Sequence, residues 1–185
     1  MGSGLKWATC NLGATAPEEF GDYFAWGETE PKDDGYSWST YQFGTSQDGP
    51  FSKYVINPSE GTVDYKDILD PEEDAACVNL GGSWRIPTAD EWNELIGSCS
   101  WTWTTENGVA GMLVIGPNEN SIFLPAAGYM FTTVSSAGTR GYYWSSTLTN
   151  ISSSAWNVNF GNSSSNVHTT SSSRYRGFSI RPVTE

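Results

Sequence analysis

The chain has 185 residues, nine of them Trp, with a formal net charge of −12 and a pI near 4.3. So large an excess of acid removes the basic footprint that nucleic-acid binding needs and repels anionic membrane surfaces. No run reaches the ~18 apolar residues of a membrane-spanning helix, and 37% hydrophobic residues, with 14% of the chain aromatic, suffice for one folded domain over residues 1–185.

Residues 1–3 read as a cloning remnant ahead of that domain. Residues 5–12 read as a first strand. From 17 to 60 the chain is rich in Gly, Pro, Asp and Ser, with Trp26, Tyr36, Trp38, Tyr41 and Phe43 set among them. Rings at that spacing suit an irregular segment pinned to a core. A helix is expected over 71–80, with Asp70 as N-cap, Pro71 at the first position, Glu72 and Glu73 in the positive first turn, and Gly81 closing it. A second is expected over 89–96. It opens on a capping box between Thr88 and Glu91, turns Trp92, Leu95 and Ile96 to one face and ends at Gly97. Strands follow at 101–105, at 112–115 and 121–124 as a hairpin, and at 142–148, 155–160 and 176–183. In the 155–160 strand, alternation places Trp156, Val158 and Phe160 on a buried face and Asn157 and Asn159 on a wet one. The first and last strands are expected to pair and bring the ends of the chain together.

From Ser145 to Ser173, 20 of 29 residues are Ser, Thr or Asn, threaded between aromatic and aliphatic positions. A uniform polar filler on an apolar spine reads as a rigid scaffold with an exchangeable surface. Ser, Asn and Tyr also suit adaptable recognition, as in antibody loops. The candidate ligand-binding positions are Asn150, Ser152, Ser153, Asn157, Asn159, Asn162, Ser163, Ser164, Asn166, His168, Thr169, Thr170, Ser171, Ser172 and Tyr175. The competing reading is an inert low-complexity loop.

Catalytic constellations are hard to assemble. His168 is the only histidine and has no Asp or Cys beside it in sequence, so it reads as a surface residue and not as a base or zinc ligand. Cys10, Cys77 and Cys99 are scattered and odd in number, which leaves free thiols or one bridge, such as Cys10 to Cys99. Asp90 and Glu91 resemble an acid/base pair but fit helix capping better. Asp70, Glu72 and Glu73 likewise suit a helix start. No cofactor is expected, and these acidic clusters leave a structural calcium as the alternative. Trp84, Trp92, Trp144 and Trp156 read as core.

Several segments carry a family resemblance. Gly81-Gly-Ser-Trp-Arg-Ile-Pro-Thr-Ala-Asp-Glu-Trp92, Tyr23-Phe-Ala-Trp-Gly-Glu28, Phe123-Leu-Pro-Ala-Ala-Gly128, Tyr143-Trp-Ser-Ser146 and Gly177-Phe-Ser-Ile-Arg-Pro182 resemble formylglycine-generating-enzyme-like domains and their bacterial relatives. The resemblance implies an α+β fold of C-type-lectin type, with two helices and a small, mostly antiparallel sheet. The enzymes of that group use a cysteine pair in the C-terminal part, where this chain has none. Calcium-bridged sugar binding in the lectin manner needs a Glu/Gln-Pro-Asn/Asp triplet, and Gly116-Pro-Asn118 lacks its first residue. The Ser/Thr/Asn thread is similar instead to the C-terminal segment of variable proteins of diversity-generating retroelements, which is altered at adenine-rich codons. That resemblance implies a non-enzymatic binding or display domain. It would lie outside the cell, on its surface or on a phage particle, and meet a protein or glycan ligand, with no nucleic acid and no membrane insertion. An enzyme of the formylglycine-generating superfamily and a structural module of an envelope protein are the alternatives.

Overall fold

A computed structural model describes Met1 and residues 4–185, with the backbone alone at 163–166. In chain order the elements are β1 (Lys6–Trp7), α1 (Ala75–Leu80), α2 (Ala89–Ser98), β2 (Ser100–Glu106), β3 (Val109–Ile115), β4 (Ser121–Pro125), β5 (Tyr129–Met130), β6 (Val134–Ser135), β7 (Gly141–Leu148), β8 (Ser154–Gly161), β9 (Ser163–Ser173) and β10 (Val183–Thr184). They form four small antiparallel sheets: β1-β10, β2-β3-β4, β5-β6 and β7-β8-β9.

The α+β, C-type-lectin-like expectation is overturned. The chain is 9% helical and 32% strand, with its strands divided among those four sheets, so the fold is β-rich. Two local causes are visible. The first helix starts late, because Asp74 and not Asp70 is its N-cap: the Asp74 carboxylate accepts from Ala76 N and Cys77 N at 2.9 and 3.1 Å. Residues 71–73 are left as a turn. Conversely, the polar stretch 163–173 is an eleven-residue strand, β9, which pairs with β8 through Trp156↔Ser171, Asn157↔Thr170 and Asn159↔His168.

Other expectations hold. The capping box at α2 is complete: the Thr88 hydroxyl accepts from Glu91 N, and the Glu91 carboxylate accepts from Thr88 N at 2.8 Å. Arg85 forks onto the same carboxylate at 2.6 and 2.7 Å. The 112–115 and 121–124 hairpin forms within β3 and β4, and the chain ends meet as Lys6↔Thr184 and Trp7↔Val183. The 176–183 strand does not form as such. Phe178 and Ser179 make isolated bridges to Phe24 and Tyr143, and only Val183–Thr184 is strand.

The β7-β8-β9 sheet divides the core. Residues opposite each other in an antiparallel ladder share a face. One face carries Tyr143, Val158 and Phe160 into a cluster with Trp92, Leu95, Met112 and Leu124. The other carries Trp144, Leu148 and Ala155 into a cluster with Phe24, Trp26, Tyr54 and Phe178. The second cluster explains how the irregular N-terminal half stays in place. Fully buried Arg174 holds it from β9's end, donating to the Tyr41 hydroxyl (2.8 Å) and to the carbonyls of Ser152 (2.8 Å) and Lys53 (3.2 Å). Its guanidinium lies over the rings of Trp26, Phe51 and Tyr41 at 4.9, 5.3 and 5.4 Å.

Candidate functional site

The polar thread does not form one face. Some of its members are structural. Ser152 and Ser153 are 0% and 2% exposed. The Ser152 hydroxyl donates to Glu60 Oε2 at 2.6 Å and accepts from Ile56 N at 3.2 Å, and Ser153 O accepts from Arg174 N. Asn157, expected on the wet face, is 0% exposed, and its amide donates to Thr170 O at 3.1 Å. Trp156, expected in the core, is 36% exposed. The alternation itself is right, since Trp156 does share the face of Val158 and Phe160. What differs is the covering: residues of the N-terminal half pack over the Asn157 side, while Trp156 opens into a cleft beside the start of α2. Tyr175 is half-buried, edge-on to Trp38 at 4.8 Å and stacked with Phe131 at 6.0 Å. The side chains of Ser163, Ser164 and Asn166 lie outside the described residues.

The remainder reach solvent around two cavities and on the strand and turn between them. Asn150 is exposed in the β7–β8 turn, and Ser171 is exposed and Ser172 half-buried on β9. At the far end of the sheet, Asn159, Asn162 and His168 meet Thr139 and Arg140 around a polar pocket of about 420 Å³. Thr170 is half-buried on the same face of β9 as His168.

The second cavity is a cleft of about 380 Å³ between α2 and the sheet, lined by Asp67, Ile68, Thr88, Ala89, Asp90, Asn93, Thr147, Trp156 and Thr169. Its walls are held by named bonds. Leu148 N donates to Asp67 O (2.7 Å) and Leu69 N to Ser146 O (3.0 Å), which lays the 67–69 segment along the free edge of β7. Ala89 N donates to the Thr147 hydroxyl at 3.0 Å and Ser146 N to Pro87 O at 2.9 Å, which fixes the start of α2 against β7. The Thr169 hydroxyl donates to Asn93 Oδ1 at 3.0 Å, which ties α2 to β9. Asp90 and Asn93, three apart, fall on one face of the helix.

Of these residues the sequence reading named only Thr169 as a binding position. By sequence Asp90 belongs to a helix start and Trp156 to the core. Asp67, Ile68, Asn93 and Thr147 carry no local signal of a site, because their convergence depends on long-range packing.

Ionisable groups with displaced pKa values serve the scaffold. Burial pushes the phenols of Tyr23, Tyr36 and Tyr143 up to about 12. Burial also raises the Asp74 carboxyl, against three backbone amides that lower it. Cys10, Cys77 and Cys99 are free thiols, and burial pushes the Cys77 thiol up. Among the described residues the one acidic group able to converge on a metal is Asp70, Glu72 and Glu73. Lys66 and Lys53 already pair with Asp70 and Glu73. No helix among the described residues is long and apolar enough to cross a membrane.

Residues 100–183 match the model of a domain of unknown function, DUF8237. The match runs from β2 to the first residue of β10 and takes in the whole β7-β8-β9 sheet. No curated protein and no solved structure matches the chain.

Proposed function

We propose that this chain is a non-enzymatic ligand-binding and display domain, of the kind varied by diversity-generating retroelements. It would act outside the cell, on its surface or on a phage particle, against a protein or glycan ligand. The observation that carries the reading is how the polar thread divides. Asn150, Asn159, Asn162, His168, Thr170 and Ser171 reach the surface. The positions between and flanking them, Trp144, Ala155, Val158, Phe160 and Arg174, are 0% exposed. Surface substitutions away from buried features cost within about ±0.5 kcal/mol, so such a frame tolerates many side chains at the exposed sites.

The test is deep sequencing of the coding region for residues 141–183 across a population of the source cells or phage, with its flanking DNA. The reading expects adenine-confined variation at the exposed codons, none at Trp144, Val158, Phe160 or Arg174, and a near-copy of the region beside a reverse-transcriptase gene. It further expects Ser152, Ser153 and Asn157 to stay constant despite their residue type. A uniform population with no template copy, or variation spread evenly over buried codons, overturns it.

A further inference from the structure

We propose that the cleft between α2 and the β7-β8-β9 sheet binds a neutral saccharide, with Trp156 as the stacking platform. This rests on reading the C-terminal sheet as a binding face, and it names the ligand class that one part of the face takes.

The first observation is the ring itself. Of the described large hydrophobic side chains, eight are exposed, and two of these, Trp156 at 36% and Ile68 at 41%, line this one cleft. An indole left open in a concavity offers a flat face with negative charge density. The C–H-bearing face of a pyranose ring is its complement, because those hydrogens carry partial positive charge and lose little on leaving water. A cleft of about 380 Å³ falls in the range of small-ligand sites.

The second observation is the polar rim. Asp67 and Asp90 are exposed and offer only acceptors. Asn93 uses its oxygen on the Thr169 hydroxyl, and its two N–H donors have no partner among the described residues, which leaves them for a ligand. A ligand matching this rim must both donate and accept hydrogen bonds close to an apolar face, as a sugar with vicinal hydroxyls does. Hydrogen bonds from hydroxyls to carboxylates are the stronger, charge-assisted kind.

Other ligand chemistries fit less well. Two carboxylates repel sulfated, phosphorylated or sialylated ligands. A quaternary ammonium or a lysine would welcome the carboxylates and the ring face, but it brings no acceptor for the Asn93 amide, and this cleft has one aromatic ring and not a cage. The rim is also rigid: the 67–69 segment, α2 and β9 are fixed to one another by the bonds given above, so little ordering cost is left for the moment of binding.

The experiment is a screen of the intact chain against immobilised neutral glycans ending in glucose, galactose, mannose or N-acetylglucosamine, with sialylated and sulfated glycans and choline as counter-probes. Retained neutral oligosaccharides are then titrated calorimetrically. The expected result is retention of at least one neutral class. Its affinity should fall at least ~10-fold in Trp156→Ala and ~5-fold or more in Asn93→Ala. It should be unchanged in Thr133→Ala, an exposed residue between β5 and β6 that does not line the cleft, and little different between ~0.05 and ~0.5 M salt, since no net charge is paired.

Asn93 is exposed on α2, so Asn93→Ala keeps the test decisive if Trp156→Ala does not fold. Retention of no neutral glycan overturns the proposal. So do equal affinities for Trp156→Ala and the parent, or salt-sensitive binding of choline or acidic glycans in place of neutral ones. Sequence variation in the population tests the display reading by a separate route. If that variation is found while the glycan screen fails, the display reading survives and the ligand class falls. If a Trp156-dependent sugar is bound but the coding region is uniform, the cleft stands and diversification falls.

Discussion

Trp156 and Asn157 are neighbours in β8, yet the indole is 36% exposed and the amide is 0% exposed. Strand alternation sends them to opposite faces, and the environment of each face decides the cost of changing it. Asn157→Tyr should destabilise the domain by about 2–4 kcal/mol, from overpacking and the loss of its bond to Thr170 O. Trp156→Ala should cost no more than about 2 kcal/mol, whereas Trp144→Ala, at 0% exposure, should cost about 3–5. Chemical denaturation of the three variants gives the order. If Trp156→Ala falls as far as Trp144→Ala, the cleft is not open.

Arg174 is a fully buried cation whose hydrogen-bond acceptors are all neutral: the Tyr41 hydroxyl and the carbonyls of Lys53, Tyr54 and Ser152. It joins the end of β9 to the 41–54 segment, which has little regular structure of its own. Arg174→Lys keeps the charge but loses the planar fork, and should cost about 2–3 kcal/mol. Arg174→Ala should cost more, about 3–5, because several buried carbonyls lose their donor. Hydrogen exchange should show amides of residues 41–54 losing protection before those of β2–β4. Uniform loss across the chain would mean that Arg174 holds the whole core and not this segment.

Alkaline pH should loosen the fold. Tyr23, Tyr36 and Tyr143 are pushed up to about 12 by burial, and Tyr41 and Tyr54 are raised by the same cause. In the unfolded chain these phenols ionise near their ordinary value of about 10. Between about 10 and 12 the unfolded state therefore binds fewer protons than the folded one, so stability falls as pH rises. Melting temperature should be flat up to about pH 9 and drop beyond pH 10. The absorbance of ionised tyrosine should appear in two stages, the later one coinciding with unfolding. A single stage near pH 10 with the fold intact contradicts the burial.

Glu91 completes the capping box and receives both arms of Arg85. Burial raises its carboxyl pKa, but the bonds from Arg85 and Thr88 outweigh that and hold it below the usual range. A lowered folded pKa contributes stability above the unfolded value and loses it as pH falls through the folded one. The pair is partly solvated and screened, so Glu91→Gln should cost only about 1 kcal/mol at neutral pH. The gap between parent and variant melting temperatures should close as pH falls below about 4. A gap that persists there means that shape, and not charge, sets the cost.

Some of this molecule is written locally. The capping box at Thr88 and Glu91, the β3–β4 hairpin and the alternation of Trp156, Val158 and Phe160 follow from bonds and periodicities within a few residues. So does the division of the C-terminal third into aromatic spine and polar filler. Other features depend on which distant residues arrive. Asp70 and Asp74 are equivalent N-caps by type, and Asp74 prevails because its second oxygen also accepts from Ile86 N at 2.8 Å, twelve residues on. Residues 163–173 carry no apolar alternation to mark a strand, and they become one because β8 offers a ladder beside them. Asn157 is buried and Trp156 is open because the N-terminal half packs over one face of the sheet, while on the other face a cleft remains between α2 and the end of β8. Alternation decides that two neighbouring side chains live on opposite faces. Only the tertiary structure decides which of those faces meets water.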